Sequence, residues 1–212
     1  PKFTDPFGPH GSLEIRARSY LHANCGTCHR YNGGGAVPTH LNIESALDKA
    51  HLIRFKPVQG DFGLPEARVI APGDPARSVL IQRMATGGRG HMPYLGGRLV
   101  DERGVVLVRD WVASLKDKSK DVPAAIRSQR EAETTALRKL TAGDATQLDP
   151  LLGSASGALS VALALVDGSL KGELRAQSVA KGSGLVDPLR RDLFERFLPE
   201  AQRRKVLGND FQ

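Results

Sequence analysis

The chain has 212 residues, 40 % of them hydrophobic but only 5 % aromatic, enough for one large domain or two small ones. The formal net charge is +7; residues 1–115 carry 14 basic and 10 acidic side chains and the remainder 16 and 13, so the excess is spread and forms no tail. No Lys/Arg-rich run with interleaved aromatics is present, which argues against nucleic acid, and the most apolar run, Gly157 to Val166, is far shorter than the roughly 20 residues of a membrane-crossing helix.

Pro1 to Gly11 is rich in Pro and Gly and reads as an extended entry. Ser12 is a natural N-cap, and Glu14 suits the positive end of a helix dipole. Leu13, Ala17, Tyr20, Leu21 and Asn24 recur at helical spacing, which predicts a helix from about Leu13 into Cys25-Gly26-Thr27-Cys28-His29.

That pentapeptide is C-x-x-C-H, the pattern of covalent c-type haem attachment. Two thiols add to the two haem vinyl groups as thioethers, and the intervening pair of residues lets both reach one macrocycle edge from a single turn. His29 then offers its imidazole as the proximal iron ligand. The chain has two cysteines, Cys25 and Cys28, and both are in the motif. A redox dithiol would want a βαβ setting, which the pattern lacks. A zinc site would need two more ligands, with no second cysteine pair to supply them.

Gly33-Gly34-Gly35 reads as a loop, and Pro38 follows. Pro38 is either an ordinary loop proline or the carbonyl that orients the proximal histidine. Ile43 to Ile53 has a weak helical pattern and Phe55 to Ala67 is loop-like. Asp74 as N-cap with Pro75 at the first helical position predicts a helix through Val79, Leu80, Arg83 and Met84, stopped by Gly87-Gly88.

Arg89 to Gly97 cannot be helical, because Pro93 pushes Met92 into an extended conformation and glycines bracket it. Met92 is the candidate distal iron ligand, with the neighbouring His91 as its rival. Adjacent extended residues point opposite ways, so one of the two faces the iron. Asp101 opens a further helix with Val105, Val108, Trp111, Val112 and Leu115 as its apolar stripe. Trp111 is expected on the first helix, either as a haem contact or as plain core.

Lys116 to Asp121 is a charged linker. Beyond it, helices are expected from Pro123 to about Leu140, from Ser156 to Val166 and from Leu170 to Ala180. A last one starts at Asp187-Pro188, buries Leu189, Leu193, Phe194 and Phe197, and ends at Pro199. Cys, His and Met do not occur in this half, which reads as a small helical bundle or helical-repeat-like module.

The first half resembles class I cytochrome c. It is closer still to the haem-binding module of the membrane-bound dehydrogenase-like proteins of planctomycetes and verrucomicrobia. The likeness rests on Arg16 to Leu21 leading into Cys25 to Arg30, on Val69-Ile70-Ala71-Pro72-Gly73-Asp74-Pro75, on Arg89-Gly90-His91-Met92-Pro93, and on Asp110-Trp111-Val112. Arg191 to Pro199 recurs after the haem module in those relatives. They carry Arg before the methionine where this chain has His91.

The resemblance implies electron transfer beside a sugar- or alcohol-dehydrogenase-like domain. The expectation is an all-α chain: a monohaem cytochrome c-like domain over 1–116 and a helical domain over 117–212 that does not influence the haem. The function implied is one-electron transfer through one covalent haem c, without bond chemistry by the chain itself. The partner would be a redox protein or an adjoining dehydrogenase domain, docked through an acidic face. Such haems are attached outside the cytoplasm, and Pro1 is not a natural start, so a periplasmic or otherwise exported piece of a longer protein is expected. Two other classes stay open. One is a haem sensor or peroxidase-like enzyme with an open or His-ligated distal site, using His91 and Arg89. The other is an interaction module built on the C-terminal helices.

Overall fold

The computed structural model describes residues 2–94, 97, 99–116 and 122–204. Leu95 and Gly96 of the expected ligand loop, and residues 117–121 of the expected charged linker, lie outside the described residues. Among the described residues the chain is all-helical: α1 (Leu13–Cys25), α2 (Val79–Ala85), α3 (Glu102–Ser114), α4 (Ala124–Thr141), α5 (Leu148–Leu152), α6 (Ala155–Val166), α7 (Gly172–Ser183) and α8 (Pro188–Arg191). The only β pairing among them is two isolated parallel bridges, Ile53 with Ile70 and Arg68 with Ser78. Among the described residues, no helix is long and apolar enough to cross a membrane.

The chain forms two compact units, and neither is one continuous run. The first comprises Pro1–Asp61, Ala67–Ile81 and Asp101–Lys118; the second comprises Phe62–Glu66, Gln82–Val100 and Ser119–Gln212. The stretch that carries His91 and Met92 groups with the C-terminal helices, and the Gly87 N–H ahead of it donates to the Asp192 carbonyl.

In the first unit, α1 starts at Ser12, whose hydroxyl accepts from the Ile15 N–H at 3.3 Å, and α3 starts at Asp101, whose carboxylate accepts from the Gly104 N–H at 3.0 Å. These two helices pack together through Tyr20 and Gly104. A Cβ at Gly104 would stand 2.1 Å from the Tyr20 ring, so only glycine permits the approach. The Tyr20 hydroxyl is hydrogen-bonded to Asp101; burial, with the charge of Asp101 behind it, pushes its pKa well above the usual tyrosine value. The Gly73 N–H donates to the Val112 carbonyl at 2.9 Å, closing one of the orphan carbonyls at the end of α3.

Asp74 and Pro75 open a single 3-10 turn, Pro75–Arg77, and not α2 itself. Ser78 is extended between the two. The reason is external competition: the N–H groups of Val79 and Leu80, orphans of the first turn of α2, donate to the carbonyls of Arg68 and Val69 at 2.8 and 3.1 Å. The Ser78 hydroxyl accepts from the Ala71 N–H and donates to the Asp74 carbonyl, both at 3.0 Å. The weak helical pattern over 43–53 resolves into turns, with no helix there.

In the second unit α6 is the central element, buried without interruption from Ser156 to Leu165. Leu140, Leu148, Leu151, Leu159, Leu165, Leu170 and Phe194 are its largest buried apolar side chains. Gly182 of α7 lies against the Phe194 ring, where a Cβ would come within 2.3 Å. Leu193 and Phe194 are buried as the pattern predicts, while Leu189 and Phe197 are half-buried. The segment breaks after α8 into a 3-10 turn, Glu195–Phe197.

Gly104→Ala should destabilise the first unit by ~2 kcal/mol, the usual scale of overpacking. Tyr20→Phe, which keeps the packing and loses the hydrogen bond to Asp101, should cost about 1 kcal/mol. Urea denaturation followed by circular dichroism measures both, and a Gly104→Ala midpoint equal to the wild type would show that α1 and α3 do not meet at this point.

Candidate haem site

The motif begins where α1 ends. Cys25 is the last helical residue, and the Gly26 N–H caps the helix on the carbonyls of Leu21 and His22 at 3.1 and 3.0 Å. A Cβ at Gly26 would lie 2.7 Å from the His22 carbonyl, so the exit is tight. The N–H groups of Cys28 and His29 then both donate to the Cys25 carbonyl, at 3.2 and 2.9 Å. Two thiols and one imidazole thus hang from a single turn with one shared acceptor.

The loop after the motif closes onto it through backbone. The Gly35 N–H donates to the Cys28 carbonyl at 3.0 Å, and the Leu41 N–H donates to the His29 carbonyl at 2.7 Å. A Cβ at Gly35 would come within 2.9 Å of the Cys28 carbonyl and 3.2 Å of His29 Nδ1, so bare backbone passes beside the imidazole. This explains the third glycine of the run.

Neither cysteine is in a disulfide; Cys25 is half-buried and Cys28 exposed. Burial pushes the Cys25 thiol up to about 11, with the neighbouring Cys28 adding in the same direction. A c-type haem asks the protein for two free thiols and an imidazole on one turn, and these residues fit that request. Among the described residues, no three His, Cys, Asp or Glu side chains converge as ligands for a bare metal ion.

Pro38 and Trp111 belong to the same unit as the motif. The Pro38 carbonyl lies 2.9 Å from His51 Nδ1, so His51 is the ring it engages here. That ring stacks on Phe55, with centroids 4.8 Å apart. Trp111 is fully buried, as its place in the apolar stripe predicts. It lines a cavity of about 10 Å³ together with Arg18 and Leu21 of α1 and Leu41, Ala50 and Leu52 of the loops. Its indole N–H is buried without a hydrogen-bond partner.

His91 and Met92 belong to the second unit. The loop leaves α2 through Thr86, Gly87 and Gly88. The His91 N–H donates to the Gly88 carbonyl and the Met92 N–H to the Arg83 carbonyl, both at 3.0 Å. Arg83 also donates from its guanidinium to the Gly90 carbonyl at 3.1 Å and lies over the Phe62 ring, 4.8 Å from its centroid. Gly90 has φ of +87°, and a Cβ there would come within 2.7 Å of Phe62. Met92 is half-buried, whereas Met84 is buried in α2 as a core residue.

His91 is buried, with 7 % exposure, and its two nitrogens differ. Nδ1 is 2.8 Å from the Thr86 carbonyl. A carbonyl can only accept, so Nδ1 carries the proton, and in the neutral ring Nε2 is left with a bare lone pair. That Nε2 is buried and has no hydrogen-bond partner. A metal-binding imidazole takes this same tautomer, with one nitrogen fixed on a carbonyl and the other free to ligate.

The sequence pattern did not assign Thr86 or Arg83 a role in this loop, nor any residue of 187–197. Only the Arg191 to Pro199 stretch left a signal, as part of a family likeness without a stated task.

In the chain without haem, Cys28 should react with iodoacetamide at least tenfold faster than Cys25 at pH 8. A thiol of pKa about 11 is thiolate in about one molecule per thousand there, and burial restricts access further. Peptide mass mapping over a time course checks this, and equal rates would show that Cys25 is not held as described. No family model matches this chain, and no curated protein or solved structure is detectably similar to it.

Proposed function

We propose that this chain is an electron-transfer module carrying one covalent haem c on Cys25 and Cys28, with His29 as the proximal ligand, and that it belongs with the class I cytochrome c-like modules of exported dehydrogenase-like proteins. The observation that carries the reading is the single turn after α1, which bears two free thiols and an imidazole and is closed by the Cys28 and His29 N–H groups donating to the Cys25 carbonyl. When bound, the haem supplies one-electron oxidation and reduction. The chain's residues hold it, fix the ligand orientation and set the potential through burial and hydrogen bonding. The chain by itself performs no bond chemistry. Its partner is a redox protein or dehydrogenase domain with an acidic docking face, and its setting is the periplasm or another exported compartment. The finer architecture proposed is a cytochrome c-like haem domain with a helical bundle.

The loop that carries His91 and Met92 would supply the other side chain that holds the iron. Sequence chemistry favours the Met92 thioether, fixed next to Pro93. A second reading has a specific observation behind it: the protonated Nδ1 and unpartnered Nε2 of His91. The two ligands differ in consequence, because a thioether favours ferrous iron and raises the potential relative to two imidazoles.

Denaturing mass analysis of protein matured with haem-attachment machinery should give the polypeptide plus one haem, and acid–organic extraction should leave that haem on the chain. Extraction of the haem would sink the proposal, since thioethers survive the treatment. With Met92 as ligand, the oxidised protein shows the long-wavelength sulfur-to-iron charge-transfer band; Met92→Ala abolishes it and His91→Ala leaves it. If the band is absent and His91→Ala turns the spectrum high-spin, the axial pair is His29 and His91. A wild type already high-spin, with ready carbon monoxide binding when reduced, would favour the sensor or peroxidase-like reading.

A further inference from the structure

The second unit gathers two stretches far apart in sequence: the end of α2 with its glycine turn, and the segment 187–197. Their contacts are backbone-directed. The Gln82 side-chain amide donates to the Leu189 carbonyl at 3.3 Å, across 107 residues. The Gly87 N–H donates to the Asp192 carbonyl at 3.0 Å. The Arg196 guanidinium donates to the carbonyl of Ala85, the last residue of α2, across 111 residues.

The Asp192 carboxylate lies against Gly88, where a Cβ would fall 1.9 Å from Oδ2. Asp192 and Glu195 are both buried, and Arg191 pairs with each of them. This segment thus takes up an orphan carbonyl of α2 and fixes the Gly87–Gly88 turn. From there the fixing passes directly to the ligand loop: the Thr86 carbonyl orients His91 Nδ1, the Gly88 carbonyl holds the His91 N–H, and the Arg83 carbonyl holds the Met92 N–H.

We propose that the Leu189–Arg196 segment is the positioning element of the sixth-ligand loop, acting through Asp192 and Arg196 on Ala85, Gly87 and Gly88. The inference rests on the haem reading and holds whichever of Met92 and His91 is the ligand. It assigns the C-terminal half a task at the haem, where the sequence pattern left it a module without influence on the iron. Asp192 and Arg196 are positioning residues: they touch the turn that presents the ligand, and no ligand atom.

The test uses the full haem-loaded chain and exogenous imidazole, which displaces a weakly held sixth ligand from ferric haem. Arg196→Ala and Gly88→Ala should each bind imidazole at least tenfold more tightly than the wild type, with covalent haem and helix content retained. Arg196→Lys, which keeps a cationic donor for the Ala85 carbonyl, should recover part of the difference. Leu148→Ala weakens the same unit's core away from these contacts and serves as the control for general loosening. Imidazole affinity unchanged in Arg196→Ala and Gly88→Ala, or raised equally in Leu148→Ala, overturns the positioning role while the haem reading stands. Absence of covalent haem from the wild type overturns both.

Discussion

The Arg18 guanidinium donates to the carbonyls of Ile43 and Ser45, at 2.7 and 2.5 Å. The first unit depends on contacts of this kind. Between α1 and α2 lie more than fifty residues with no α-helix, one 3-10 turn and only isolated bridges, so most of their peptide groups lack a ladder. α1 supplies the substitutes. The Ser19 hydroxyl accepts from the Thr4 N–H at 3.2 Å, and His22 Nδ1 accepts from the Ile43 N–H at 3.0 Å. One face of the helix thus carries loop backbone, its end carries the Cys25–His29 turn, and Tyr20 meets α3. The helix is weakly amphipathic for this reason: several of its inward positions are polar and bonded.

Much of the helical content was legible, because helix starts are local chemistry. Ser12, Asp101 and Asp187 each cap with their own side chain, as their residue types and positions imply. The cysteine motif was legible for the same reason, being five consecutive residues. What escaped the sequence was set by distant partners. The pull of Arg68 and Val69 on the N–H groups of Val79 and Leu80 delays α2, and nothing local at Asp74-Pro75 announces it. The short α5 directly follows a 3-10 turn, Ala145–Gln147, and has no side-chain cap of its own; the capping residue, Asp144, serves that turn instead.

The candidate ligand loop shows the same limit. Pro93 and the glycines mark 89–97 as a loop in the sequence, but not what the loop leans on. Its supports are Arg83 and Phe62 on one side and Asp192 and Arg196 on the other, and the latter are about a hundred residues away. Elsewhere in the second unit, Glu133 follows the same logic. Burial would raise the pKa of its carboxyl, but donors from Ser154, Gln129 and Ser156, with the Arg130 charge, more than offset it and hold it below the usual range. A buried carboxylate in a charged-looking helix reads as surface until its partners are known.

The discontinuity of the second unit also fixes an order of events in time. Gln82 cannot reach Leu189, and Ala85 cannot receive Arg196, until the last quarter of the chain has been synthesised. The C-x-x-C-H turn needs nothing beyond Leu41 for the backbone bonds that shape it. On a chain emerging from its N-terminus, the Cys25–His29 turn therefore has all its backbone partners while the Gly87–Gly88 turn ahead of His91 and Met92 still lacks Asp192 and Arg196. Contacts of such long sequence separation close late, so the backbone shape of the Cys25–His29 turn does not depend on them.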